Sequence, residues 1–172
     1  MENLYKKSSI LVQAELDEIN RLLFEVIDYP VENAKEFLLS SGKKIRPVLA
    51  FLFLKMFDCR INELQLKLLA AAELSHSASL IHDDIIDECK IRRNSKTLEV
   101  LFDVKTAVMT GDYLLSKAFL LLLDIGNKDI INEFVKTFSL MSEAEINQYF
   151  EKFKIPKFDN YIEKTTYASN NS

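Results

Sequence analysis

Apolar positions recur at helical spacing along most of this chain. Leu4, Leu11, Leu22 and Val26 belong to a first stretch that predicts a helix over roughly residues 3–27, ended by Pro30. A shorter helix is expected over 32–39, and Ser40, Ser41 and Gly42 form the next break. Pro47 suits the first turn of a helix running to about residue 58, because its fixed φ is preset and its missing N–H is not needed there. Asn62 is placed to cap a long helix that reaches about Asp87. A polar loop over 90–96 separates this helix from another over about 103–125, with Gly126 as its C-cap. A further helix spans about 129–153, before Pro156, and residues 159–172 are weakly helical. Leu64–Ile81 and Ala118–Leu123 are apolar nearly all round. Helices of that kind need neighbours on most sides, so they mark the middle of an all-α fold.

Composition supports this reading. The chain has 172 residues, 48% hydrophobic and 28% charged, which suits a single globular domain, 1–172, with a real core. Only three Gly and three Pro are present, in keeping with long helices and against a glycine-rich phosphate loop. The net charge of −4 and the lack of a basic run argue against nucleic acid as a partner. Cys59 and Cys89 fit free thiols in a reducing compartment. The N-terminal Met-Glu-Asn-Leu-Tyr-Lys-Lys-Ser-Ser lacks an apolar signal segment, and the longest clean apolar stretch, Val48–Leu54, is too short to cross a bilayer. The expectation is a cytoplasmic protein with no transmembrane segment.

The candidate chemistry lies at the end of the central helix, in His76-Ser-Ala-Ser-Leu-Ile-His-Asp-Asp-Ile-Ile-Asp87. At about 100° per residue, Asp83 and Asp87 each fall about 20° from His76, on either side, while Asp84 is offset by about 80°. Asp83 and Asp87 therefore stand one turn apart, roughly 6 Å along the axis. Like charges four apart repel, and carboxylates at a helix C-terminus oppose the macrodipole at roughly 0.3–1 kcal/mol each. Mg²⁺ is a fitting compensation, because it takes one or two carboxylates plus phosphate oxygens and water. On its own the stripe reads equally well as a solvated helix end neutralised by Lys90, Arg92 and Arg93.

Two basic clusters flank this stripe. Lys43, Lys44 and Arg46 precede a helix N-terminus, where free N–H groups and the positive dipole end attract anions. Arg92, Arg93 and Lys96 follow the aspartates. Taken alone, either cluster reads as a basic surface loop. Together with the acidic stripe they make what a diphosphate-handling site needs: carboxylates for a metal and cations for the remaining charge.

These residues resemble the trans-isoprenyl diphosphate synthases, or polyprenyl synthetases. Ser41-Gly-Lys-Lys-Ile-Arg-Pro47 is similar to the family's Gly-Gly-Lys-Arg-x-Arg-Pro, and Glu73 to Glu88 to its first aspartate-rich motif. Arg92-Arg93, Gly111-Asp-Tyr-Leu-Leu115 and Glu145-Ile-Asn-Gln148 follow in the family's order. The resemblance implies an all-α bundle around a central cavity, usually a homodimer. It implies that Lys43, Arg46, His76 and Arg93 hold isopentenyl diphosphate and that Arg92 contacts the allylic prenyl diphosphate. Asp83 and Asp87 would bind Mg²⁺, with Asp84 in support. Gln148 and the Lys164-Thr165 pair would contact substrate. Small residues at Ala78, five before the first aspartate, and at Ser79 imply a product tunnel open for medium or long chains.

The family's second aspartate-rich motif has no counterpart after Asp87, since Asp103, Asp112, Asp124, Asp129 and Asp159 are each isolated. The chain thus resembles the N-terminal half of a synthase. A half-bundle would expose apolar helix faces and associate with another chain. Its alternative role is a non-catalytic or truncated subunit joined to a full-length synthase. A terpene cyclase also uses an aspartate-rich helix, but it has no need of the basic clusters. A plain helical interaction module leaves the acidic stripe without a purpose.

Overall fold

The computed structural model describes residues 2–28, 44–92 and 95–151. The helix expected over 32–39, Lys43, Arg93 and the Lys164-Thr165 pair lie outside the described residues. The described chain is all-α apart from one short hairpin. Its elements are α1 (Glu2–Ile10), α2 (Gln13–Val26), α3 (Ile45–Met56), α4 (Glu63–Ile86), β1 (Ile91–Arg92), β2 (Ser95–Lys96), α5 (Leu98–Leu101), α6 (Val104–Ile125) and α7 (Lys128–Glu151). They separate into two compact units, 1–125 and 126–172, divided at Gly126.

Two expectations are corrected. The first helix is two helices, broken at Leu11 and Val12. There the Leu11 and Val12 N–H groups donate to Ser8 and Ser9 carbonyls three residues back instead of four. The tighter turn puts Val12 fully inside the unit, so burial of a β-branched residue prevails over helix continuity. The polar loop over 90–96 is an antiparallel hairpin with Ile91 opposite Lys96 and Arg92 opposite Ser95. Buried Thr97 fastens its base, its N–H donating to the Lys90 carbonyl and its Oγ1 to the Cys89 carbonyl at 2.9 Å.

The Asn62 and Gly126 signals hold, while Pro30, the 40–42 break, Pro156 and the segment 159–172 lie outside the described residues. Asn62 caps α4 in a full capping box: its side chain accepts from the Leu64 N–H, and Gln65 reaches back to the Asn62 N–H. Asp103 Oδ1 accepts from the Thr106 N–H at the start of α6. Gly126 ends α6 with φ 68°, the left-handed conformation glycine adopts without strain.

α4 and α6 form the core of the first unit and run antiparallel, since Lys67 meets Asp124 at one end and His82 meets Asp112 at the other. Ala70, Ala71 and Ala78 on α4, and Ala107, Gly111 and Ala118 on α6, are buried. Side chains this small let two helix axes approach closely. Leu16, Ile19 and Leu23 of α2 are buried in the same unit, where α2 packs on α4. By length and composition α6 would be able to cross a membrane, yet its buried face is this packing surface.

Several large apolar side chains among the described residues are exposed. Ile45, Leu49, Phe53 and Met56 recur at helical spacing on α3 and are each more than half exposed. Within the second unit, Asn127 Oδ1 caps α7 by accepting from the Asp129 and Ile130 N–H groups. No described side chain of α7 is buried, and Ile146, Tyr149 and Phe150 are well exposed.

Candidate functional site

The site is built on the last turn of α4. Asp87 is the C-cap, but its N–H still donates to the Asp83 carbonyl at 2.8 Å, so the turn between them is closed. The two residues thus keep the one-turn separation expected from sequence. Asp83 is half-buried and Asp87 exposed. Beyond them Glu88 takes a left-handed conformation, φ 52°, which costs a non-glycine residue roughly 1–2 kcal/mol. That bend reverses the chain and lays the hairpin back along the helix.

The reversal separates the roles of the three aspartates. Asp84 turns inward and is buried, and Arg92 Nε on β1 donates to its Oδ1 at 2.6 Å. A charge-assisted pair of that length fixes both side chains. Lys90 is engaged by Glu99 at 2.5 Å. Of the three cations expected to neutralise this helix end, Arg92 pairs with its Asp84 and Lys90 with Glu99. Among the described residues no three His, Cys, Asp or Glu side chains cluster as a self-sufficient metal site. Asp83 and Asp87 share one stripe of α4, and Mg²⁺ suits a pair of carboxylates because it completes its shell with water and phosphate oxygens.

The basic cluster is only partly in view. Lys44, at φ 46°, points inward and its Nζ donates to Asn20 Oδ1. Burial pushes its ammonium below the usual lysine range, and the nearby Glu73 charge opposes that shift. Arg46 is exposed in the first turn of α3. Glu73 lies three residues before His76, so the start of α3 lies alongside the middle of α4. His76 is half-buried and its carbonyl accepts from Ser79 Oγ at 2.9 Å. Seven residues separate His76 from Asp83, about 10 Å along the axis. Ala78 is buried and Ser79 half-buried. Gln148 is exposed on α7, in the second unit.

The Gly111-Asp-Tyr segment of α6, matched as a motif in the sequence but given no role there, contributes contacts to the site. A Cβ on Gly111 would lie 2.7 Å from Cδ2 and 2.9 Å from Cε1 of the His82 ring. His82 Nε2 is 3.4 Å from the Val108 carbonyl oxygen and 3.5 Å from Asp112 Oδ1. Tyr113 faces elsewhere: its hydroxyl donates to Asp28 Oδ1 at 2.5 Å, and Lys117 Nζ lies 2.6 Å from the same carboxylate. Those two donors hold the Asp28 carboxyl at about 2. The only sequence sign of the His82–Gly111 fit was a glycine inside a helix, and its meaning depends on the register of α4 against α6.

The polyprenyl synthetase family profile matches residues 29–169. A prenyl transferase from Porphyra purpurea is 37% identical over 139 residues, covering 79% of this chain and 43% of that protein. A decaprenyl-diphosphate synthase from Dictyostelium discoideum is 36% identical over 125 residues, 73% of this chain and 27% of that one. The crystal structure of a decaprenyl diphosphate synthase from Rhodobacter capsulatus has a TM-score of 0.77 at 26% identity, covering 85% of this chain and 46% of that chain. A polyprenyl synthase from Caulobacter crescentus, complexed with calcium and isoprenyl diphosphate, has a TM-score of 0.75 at 24% identity over 84% and 45%, which speaks to the fold alone. The chain spans less than half the length of these relatives. The profile takes in the acidic turn of α4 and the helix that braces it, and on that match the chain belongs to the polyprenyl synthetase family.

Proposed function

We propose that this chain supplies the metal-binding wall and the isopentenyl diphosphate subsite of a trans-prenyltransferase that joins isopentenyl diphosphate to an allylic prenyl diphosphate. One observation carries the reading: Asp83 and Asp87 stand one closed helical turn apart on a single stripe of α4. Asp83 and Asp87 would hold Mg²⁺, which when bound draws charge from the allylic diphosphate as its C–O bond breaks. His76 and Arg46, with Lys43 and Arg93, would hold the second diphosphate about 10 Å away along α4. Arg92 is steadied through Nε by Asp84, which leaves its terminal nitrogens for the allylic diphosphate. The double bond of isopentenyl diphosphate attacks the allylic carbon, the departing diphosphate keeps the electron pair of the broken bond, and a proton is lost to a diphosphate oxygen. The small side chains of Ala78 and Ser79 favour a medium- or long-chain product.

The wall needs an opposing one. In the family a second aspartate-rich segment faces the first, so condensation calls for an assembly that supplies it. In such an assembly Asp83→Ala is expected to cut Mg²⁺-dependent condensation by about 10²–10³-fold, the scale of losing one electrostatic stabiliser of developing charge. Incorporation of radiolabelled isopentenyl diphosphate measures this. Near-normal incorporation by the variant removes the metal assignment.

A further inference from the structure

His82 lies outside the substrate-binding set and outside the metal pair, yet it is the side chain that closes the acidic end of α4 on α6. Around the helix, with His82 at 0°, Asp83 falls at about 100°, Asp87 at about 140° and Asp84 at about 200°. The two metal-facing acids therefore sit between two fastenings. On one flank Asp84 is tied to Arg92 of the hairpin. On the other, the His82 ring rests on bare backbone at Gly111, with Nε2 directed at the carbonyl of Val108, about a turn earlier, and at the side chain of Asp112, the next residue. This is the turn that most needs holding, because its carboxylates repel one another and oppose the helix dipole.

We propose that His82 is a positioning residue whose ring, seated on Gly111, sets the rotation and spacing of the last turn of α4 against α6 and so keeps Asp83 and Asp87 aligned for a metal-bound diphosphate. The fit is specific to glycine on α6: any β-carbon there meets the ring well inside contact distance. It is also specific to a side chain that can both fill the gap and donate across it. The positioning role concerns the helix pair itself. Its use in binding rests on the prenyltransferase reading.

The test uses the full chain and four variants, His82→Ala, His82→Gln, Gly111→Ala and the double variant His82→Ala/Gly111→Ala. The first readout is amide hydrogen exchange without ligand. His82→Ala and Gly111→Ala are expected to lower protection at Asp83, Asp87 and Glu88 by about tenfold, with Ala70 to Leu74 changed less than about twofold, as for local opening. His82→Gln keeps most of the protection, because its amide reaches the same acceptors. The double variant relieves the clash and melts like His82→Ala, but its last turn stays unprotected. Uniform loss along α4, or full protection in the double variant, overturns the proposal. The second readout is titration with Mg²⁺ and inorganic pyrophosphate, in which His82→Ala is expected to bind about tenfold more weakly, the lower end of what loss of a ligand-orienting partner costs. If the exchange pattern appears but the unaltered chain binds no Mg²⁺–pyrophosphate, the prenyltransferase reading fails and the positioning role stands. If that chain binds and His82→Ala binds equally well, the positioning role is overturned.

Discussion

The two ends of the α4–α6 pair are held by opposite chemistry. At the start of α4, Lys67 lies between Glu63, at 2.5 Å, and Asp124, and both acids are mostly exposed. This is a surface ionic cluster, worth little and weakened by salt. At the other end a histidine ring fits onto glycine backbone and an inward aspartate is tied to Arg92. Shape and one short ion pair contribute at that end, and Asp83 and Asp87 share the stripe between them. An end fastened by its own surface charges has none to offer a ligand. An end fastened by packing can carry charge for another purpose.

Between the ends lies the apolar middle, and breaking it has the largest expected effect on stability. Leu114 is fully buried. Leu114→Ala is expected to cost about 2–5 kcal/mol, the range for removing a core leucine and leaving a cavity. Urea denaturation measures it. Hydrogen exchange on the same variant should rise at both ends of the pair together. A rise confined to one end would mean that the two ends are separate units and that the comparison has no common middle.

Much of this was legible in the sequence. Asn62, Asp87 and Gly126 act locally, so the bounds of α4 and the end of α6 follow from capping alone. The separation of Asp83 from Asp87 is a property of one helix and survives folding. What stayed hidden depends on partners distant in sequence. Val12 breaks the first helix because the interior takes its side chain, and the 90–96 segment pairs with itself because Thr97 fastens its base. The 80° offset placed Asp84 off the stripe without saying what it would meet, and Arg92 is found only once the chain reverses at Glu88. Gly111 has a reason only when the register against His82 is known.

A smaller effect comes from the clasp that ties the chain after α2 to α6. Asp28 accepts from Tyr113 and pairs with Lys117, whose ammonium also lies 5.3 Å from the centre of the Tyr113 ring. The folded carboxyl titrates at about 2, against about 3.9 in an unfolded chain. A depressed value means the contribution is fully present above the unfolded value and is lost as pH falls through the folded one. Melting temperatures of the unaltered chain and of Asp28→Asn should therefore differ at pH 6 and converge between about pH 4 and pH 2. Parallel curves through that window would show that the clasp does not act through the carboxylate charge.

The smallest change is expected at the ionic end. Lys67→Met keeps most of the apolar stem and removes only the charge. Asp124 and Glu63 raise the Lys67 ammonium above the usual lysine range, so its contribution is present at neutral pH and lost only as pH rises through that raised value. Its acids are exposed, so the melting shift at low salt should be slight, and at about 1 M NaCl, where screening acts within about 3 Å, it should nearly vanish. The His82→Ala effect on the opposite end should persist under the same salt, because a ring seated on backbone is not screened. If instead both effects fade together, the acidic end is held by charge as well, and the division of labour along this helix pair is wrong.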